Sequence, residues 1–534
     1  MPATSSNHLF MLRCFRLSGA CLLLALTASS CGSSPSTRVE AAGVAALAPA
    51  ASPPPVPVAP LIQALLDTTT AGHNSTADAR RGLQAGNAVR AFYGAAYTPA
   101  WTQPADSLNA NARAALALLA RAADHGLRPA DYGGPRLRAL RDSLARPTTA
   151  QSPLQRAHLQ AQIEMYLSDA VLTFMCDVGR GRLHPYTASA RERAGGAAGQ
   201  PVAALRAALA SGTVPTAMVA GQPANREYRQ LQQALAHWRS LPMPTAPDSV
   251  RQHQAHFQQA AVNLERWRWE AFTPDSDYVL INVPAYELQV VTAGAVARRH
   301  RVIVGKPSTT TPTLSSTIRY FTLAPGWHVP NSIATQEMLP RIRRDVGYLE
   351  RNNLAIYNTQ GKQLDPTRIN WAKVTPQRFP YIIRQSACCD NALGNIVFRF
   401  TNPYSVYLHD TPLRQLFDRP TRALSHGCIR LEQPMRLAAY LLSREGNPAR
   451  LPTEDECARS PRSRDIRLRR PLALYVRYAT CTAENGRLRF LPDIYGRDEM
   501  LRRGLFGPKP TVRASKPVVL GAISARDTAE FDAK

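Results

Sequence analysis

The stretch Ser425-His426-Gly427-Cys428-Ile429-Arg430 places a thiol beside a glycine, with one histidine two positions before it and another, His409, nineteen before. A thiolate is a strong nucleophile, and a neighbouring imidazolium lowers the pKa of a thiol below its free value of about 8.5. A histidine at the end of an adjacent strand can reach such a thiol directly. His426 would face the other way if its own stretch is extended, because side chains alternate along a strand. His409 is therefore the expected base, and later the acid for a leaving amine. Gly427 lets a backbone approach a substrate closely. Its N–H and that of Cys428 are candidate donors to the oxyanion of a tetrahedral intermediate.

Three other readings compete. A buried, inert cysteine beside core histidines accounts for many lone Cys/His pairs. Zinc would use His409, His426 and Cys428, but their spacing matches no standard ligand pattern and no fourth ligand is evident. A cysteine phosphatase needs an arginine six positions after the cysteine, where this chain has Pro434.

The elements that must position these residues come in two kinds. From about 61 to 250 the apolar spacing is helical, as in Leu108–Ala123, with a stop at Gly126, and in Ile163–Phe174, with stops at Gly179 and Gly181. From about 276 the period changes to short β-branched and aromatic runs: Tyr278–Val283, Glu287–Val291, Arg301–Val304 and Ile396–Phe400. The fold expected is α+β, a helical domain followed by a β-rich one. Between them in that second part, 331–392 reads as an irregular polar insertion with a helical start at Thr335–Arg344, long enough to act as a lid.

At 534 residues and 45% hydrophobic content the chain can build two or three cores. The net charge of +26 favours polyanionic partners such as nucleic acid, an anionic membrane face or a carboxylate-rich polymer. The arginines are scattered, with no arm of the kind that binds nucleic acid, so nucleic acid is not an expected partner. Arg13 and Arg16 precede a short apolar run that ends in Ala28-Ser29-Ser30-Cys31, the pattern of a secretory signal. Small residues before Cys31 resemble the bacterial lipobox, which implies lipidation of Cys31 and a membrane anchor. Gly32 is not the aspartate that often signals inner-membrane retention, which favours an outer-membrane address facing the periplasm. Residues 1–31 are then the signal, 32–60 an Ala/Pro/Ser-rich tether and 508–534 a disordered tail. Vicinal Cys388 and Cys389 read as loop residues.

Ser425–Arg430 with His409 upstream resembles the signature of the YkuD-type L,D-transpeptidases. Asn263-Leu-Glu-Arg-Trp-Arg-Trp269, Val304-Gly-Lys-Pro307, Asn391-Ala-Leu-Gly394, Tyr404–Pro412 and Pro492–Arg497 extend the likeness to the large Gram-negative enzymes of that family. Asp124–Tyr132 resembles part of their helical scaffold domain. The resemblance implies a scaffold domain over 61–250 and a catalytic domain over 263–507, with 331–392 as a capping insertion. It implies that Cys428 attacks the third residue of a peptidoglycan tetrapeptide stem and expels D-alanine. An amine of a second stem then resolves the thioester into a 3→3 cross-link, without a cofactor or metal, in a site that carbapenems acylate.

Matching positions make Tyr407 and Trp327 substrate-lining. Arg430 either meets a stem carboxylate or braces the loop, and Ser425 supports the turn more than it acts chemically. The same thioester passed to water or to a protein amine would make a carboxypeptidase or a protein-to-wall ligase, and a wall-binding protein could keep the fold without the chemistry. A penicillin-binding protein or another wall-synthesis enzyme is a natural companion. Two departures stand out: residues 240–262 are too few for the peptidoglycan-binding module common in this class, and the loop before Asn391 reads Ser386-Ala-Cys-Cys-Asp390 rather than offering Pro and Gly.

Overall fold

Glu164 explains much of the helical half. Its fully buried carboxylate accepts the N–H groups of Ala100, Trp101 and Thr102 at 2.7–2.9 Å, and the hydroxyls of Thr102 and Tyr93 at 2.8 and 2.7 Å. A charge at zero exposure persists only when its oxygens are satisfied in this way. The carboxylate sits on the long helix Pro153–Arg180, which opens with a capping box between Ser152 and Gln155 and ends at Gly181. Around it pack the shorter helices Gly86–Tyr93, Ala110–Ala120 and Gly134–Leu144, then Gln200–Ser211 and Val214–Val219, while Arg226–Ser240 packs on the helix that follows it. The computed structural model describes residues 56–67, 82–103, 107–147, 151–183, 200–270, 277–387, 391–459 and 461–507. Cys31 and its signal, most of the tether, Cys388-Cys389 and the tail from 508 lie outside the described residues.

The expected boundary between 250 and 263 falls inside one helix, Pro247–Arg268. Residues 263–268 join the two halves. Asn263 bonds both the N–H and the hydroxyl of Thr480, Arg266 pairs with Asp498 at 2.6 Å, and Arg268 reaches back to Val178 O and His125 O. Leu264 and Trp267 pack with Tyr228 and Leu231 on one side and with Tyr278 and Leu280 on the other. This part of the motif is a structural joint.

The second half is built on strands β1 (Tyr278–Asn282), β2 (Glu287–Thr292), β3 (Ala295–Gly305) and β4 (Leu314–Leu323). It continues through β5 (Trp327–His328), β6 (Leu354–Tyr357), β7 (Gln363–Leu364), β8 (Ile382–Gln385), β9 (Ile396–Arg399) and β10 (Leu408–His409). The last strands of this set are β11 (Ala423–Ser425), β12 (Ile429–Leu431) and β13 (Arg464–Arg477). The large sheet runs β11-β3-β12-β10-β9-β4-β13-β1-β2, and a further pairing of β2 with β3 closes it on itself. Phe321, Phe398, Leu408, Ile429, Leu474 and Val476 fill the inside. The residues that alternate with those of β9, β10 and β12 face outward.

The insertion proves to be a folded subdomain rather than an irregular polar segment. β5, β8, β6 and β7 form its own four-stranded sheet in that order. A π-turn at Ala334–Met338 leads into the helix Leu339–Arg344, and Leu339, Ile342, Ile356, Trp371 and Ile383 make a separate core. It begins at Trp327, before the expected start at 331.

Candidate active site

β10 and β12 run parallel, with Leu408 opposite Ile429 and His409 opposite Arg430, and Ile429 N–H donates to Tyr407 O at 3.0 Å. Leu408 and Ile429 point into the barrel, so alternation puts Tyr407, His409, Cys428 and Arg430 together on the outer face. β9 lies on the other side of β10, pairing Phe398 with Leu408, and so adds Arg399 to the same face. The chain thus brings its thiol and the expected base onto neighbouring strands of one wall.

His409 is buried, and its Nδ1 lies 2.6 Å from the backbone oxygen of Asp410. Nδ1 therefore carries the proton and Nε2 is left as the acceptor. Burial, reinforced by the positive charges of Arg430 and Arg399, pushes the imidazole down to about 3. Cys428 is half-buried, and loss of water raises its thiol above the ordinary value. The N–H and hydroxyl of Tyr407, then Arg430 and Arg399, oppose that shift without cancelling it. This differs from the sequence expectation of a thiolate stabilised by an imidazolium: loss of water favours the neutral form of both partners, because burial penalises each charged form. The base is nonetheless in the state that can accept a proton.

The turn around the thiol is held from inside. Ser425 is buried, and its hydroxyl donates to Cys428 O at 2.6 Å while accepting Gly427 N–H at 3.1 Å. Its hydroxyl is thus spent on the turn, away from any substrate. Gly427 adopts φ +118°, a conformation that side chains rarely take, and its carbonyl accepts the hydroxyl of Thr311 at 2.8 Å. Because the Gly427 N–H is already used, the expected pair of oxyanion donors is reduced to one. The Cys428 N–H donates to no group among the described residues. The thiol itself leans toward Ser405 O at 3.9 Å.

The cap closes over this wall. Trp327 and Cys428 both lie close to the Tyr407 hydroxyl, which brings β5 up to the residue beside the sulfur. His426, partly exposed two residues before Cys428, turns to the cap instead: its Nε2 pairs with Glu337 on the π-turn. Among the described residues no three His, Cys, Asp or Glu side chains converge as a metal site would require. Cys176, Cys428 and Cys481 are free thiols.

Arg399, Glu337, Thr311 and the Asp410 carbonyl are parts of the site that sequence reasoning missed. Arg399 was within reach, since it ends a recognised strand whose buried partners alternate with it. Gly394 was another sign: at φ +60° a Cβ there would lie 2.5 Å from the Asp410 carboxylate, which accepts Asn395 N–H at 2.9 Å and braces the strand carrying His409.

Residues 87–235 match the family model described as Scaffold domain, and residues 276–451 match that of the YkuD L,D-transpeptidase catalytic domain. A curated Haemophilus influenzae protein named "Putative L,D-transpeptidase" is 36% identical over 280 residues, which is 52% of this chain and 54% of that protein. The alignment thus spans about half the length of that relative. A solved chain described as "L,D-transpeptidase from Mycobacterium smegmatis" is 17% identical, covering 38% of this chain and 58% of that one, with a TM-score of 0.18, too low to bear on fold or function. The two family models, Scaffold and then YkuD, match successive parts of the chain and agree with its helical and β-rich halves. The second half is a YkuD L,D-transpeptidase catalytic domain, with Cys428 and His409 on the wall of its barrel.

Proposed function

We propose that this protein is a peptidoglycan L,D-transpeptidase that forms 3→3 cross-links through a thioester on Cys428. One arrangement carries the reading: a neutral imidazole with a fixed tautomer and a thiol share the outer face of β10 and β12, beneath a cap anchored at Trp327.

In the acylation step Cys428 Sγ attacks the carbonyl of the third stem residue at its L-centre while His409 Nε2 takes the thiol proton. Two neutral groups become an ion pair only as the new bond forms. Arg399 and Arg430 offset the developing charge on sulfur, and the Cys428 N–H donates to the oxyanion. The C–N bond then breaks, and His409 returns its proton to the leaving D-alanine amine. An amine of a second stem attacks the thioester and gives its proton to His409. The thiolate that leaves is reprotonated by the imidazolium. No nucleotide is consumed, since the thioester keeps the acyl group activated. The cap's part is to keep water from that thioester, which decides between transfer and hydrolysis.

Cys31 anchors the enzyme by lipid in this reading, in the periplasm and at the outer membrane, where stem peptides are its substrate and a wall synthase is its natural companion. Incubating purified protein with tetrapeptide muropeptides and resolving the products by mass tests the activity. Dimers lacking one D-alanine are expected. Tripeptide alone would mean a carboxypeptidase, and unchanged substrate with folded protein would mean a wall-binding protein. Cys31→Ser should move the protein from the membrane to the soluble fraction, and retention would refute the anchor.

A further inference from the structure

A cavity of about 410 Å³ lies between the base of the cap and the barrel wall, with Trp327 in its lining. Its volume is in the range of small-ligand pockets, roughly 300–1,000 Å³. Arg384 on β8 and Arg399 on β9 both line it, with His328, Tyr357 and Asp465. Arg384 stands opposite His328 in the β5–β8 pairing, and its guanidinium lies 4.7 Å over the ring of Tyr357. The buried Nε of Arg384 has no hydrogen-bond partner. Arg399 lies 5.6 Å from the ring of Tyr407, the residue that touches the sulfur. Neither arginine forms an ion pair among the described residues. Asp465 is the carboxylate of this cavity; its Oδ1 accepts the hydroxyl of Thr322 at 2.7 Å, and it makes no ion pair with either guanidinium. Burial and the two guanidiniums hold His328 below the usual imidazole range, so it adds a neutral donor rather than a third charge.

Two partly buried guanidiniums face one cavity against a single carboxylate that pairs with neither, and the unused buried Nε of Arg384 is a donor that a bound anion would satisfy. The planar fork of arginine matches a carboxylate bidentately. We propose that Arg384 and Arg399 form a carboxylate subsite, which seats an ionised group of the stem peptide beside Cys428 and discriminates against its amidated form. The inference rests on the transpeptidase reading for the identity of the peptide. Two carboxylates of the stem fit: that of the terminal D-alanine, and that on the side chain of the third residue.

The full-length protein and its Arg384→Gln, Arg384→Lys and Arg399→Gln variants would be assayed with three tetrapeptides: fully ionised, amidated at the terminus, and amidated on the third residue. One amide is expected to raise the KM of the wild type roughly tenfold or more, the scale of a lost charge-assisted hydrogen bond. Which amide does so names the carboxylate. Arg384→Gln should raise KM for the ionised peptide similarly, leave kcat within a few-fold and abolish the discrimination, while Arg384→Lys recovers part of it. Arg399→Gln should lower kcat as well, since that charge also faces the thiol. Discrimination in Arg384→Gln equal to the wild type, or none in the wild type, overturns the subsite. Calorimetric titration of the same peptides into Cys428→Ala separates the two claims. If the wild type turns over nothing, the transpeptidase reading fails, yet the same preference in Kd would uphold the subsite and its absence would dismiss it.

Discussion

The Nδ1 of His409 donates to the backbone oxygen of the very next residue, Asp410, at 2.6 Å, which fixes both the tautomer and the tilt of the imidazole. A carboxylate in that position would stabilise the imidazolium. A carbonyl orients the ring without supplying a full counter-charge, and burial with Arg430 and Arg399 nearby then keeps it unprotonated. The site therefore holds a thiol and a base in waiting rather than a preformed ion pair.

The thiol should show this directly. Alkylation of Cys428 by iodoacetamide, followed against pH, is expected to rise with a midpoint above the ordinary thiol value of about 8.5. A plateau already reached at neutral pH would mean a resting thiolate–imidazolium pair and would contradict the neutral site.

Acid stability carries the complementary sign. The folded-state pKa of His409 is depressed to about 3 from an ordinary 6.5, so below about pH 6.5 the unfolded chain binds a proton that the folded chain refuses. Stability from this residue is present above pH 6.5 and is lost as pH falls toward 3, by at most about 1.4 kcal/mol per pH unit. Urea unfolding of His409→Gln between pH 7 and 4 should give a shallower decline than the wild type. Parallel curves would show that the imidazole titrates normally. At neutral pH the same variant should lose activity by about 10²–10⁴-fold, as when a general base is removed.

Ser425→Ala removes the hydroxyl that bridges Gly427 N–H and Cys428 O. Two backbone groups at the turn then lose their partner, at a cost of roughly 1–3 kcal/mol. Thermal unfolding should shift down accordingly, with kcat falling about tenfold or more while KM holds, because the residue positions the nucleophile without touching substrate. A raised KM with unchanged kcat would return Ser425 to the substrate-contacting set.

Glu337→Ala cuts the link between the cap and His426. With the cap looser, water gains on the acceptor amine. The ratio of hydrolysed tripeptide to cross-linked dimer should rise several-fold, read by mass from one incubation. An unchanged ratio would mean that the pairing does not govern closure.

The chemistry was more legible in the sequence than the architecture around it. A histidine and a cysteine nineteen residues apart can meet when each ends or precedes a short strand, and flanking Leu408 and Ile429 supplied the alternation that sets their common face. The cap was hidden because its core comes from apolar residues spread thinly between turns, from Val329 to Ile383, with no sustained period. β13 was hidden differently. Its buried Ile466, Leu468, Leu472, Leu474 and Val476 are separated by arginines and by Pro471, and the register shift between Arg467 and Leu472 absorbs that proline. The used Gly427 N–H could not be foreseen, since it depends on a rotamer of Ser425 that only the folded turn specifies.

Intact-protein mass spectrometry after brief mixing with a tetrapeptide stem tests the central claim most directly. The expected result is a covalent adduct on Cys428, equal to the stem minus D-alanine, that disappears when an amine acceptor is added and never forms in Cys428→Ala. Cross-linked product formed at the wild-type rate by Cys428→Ala would contradict it.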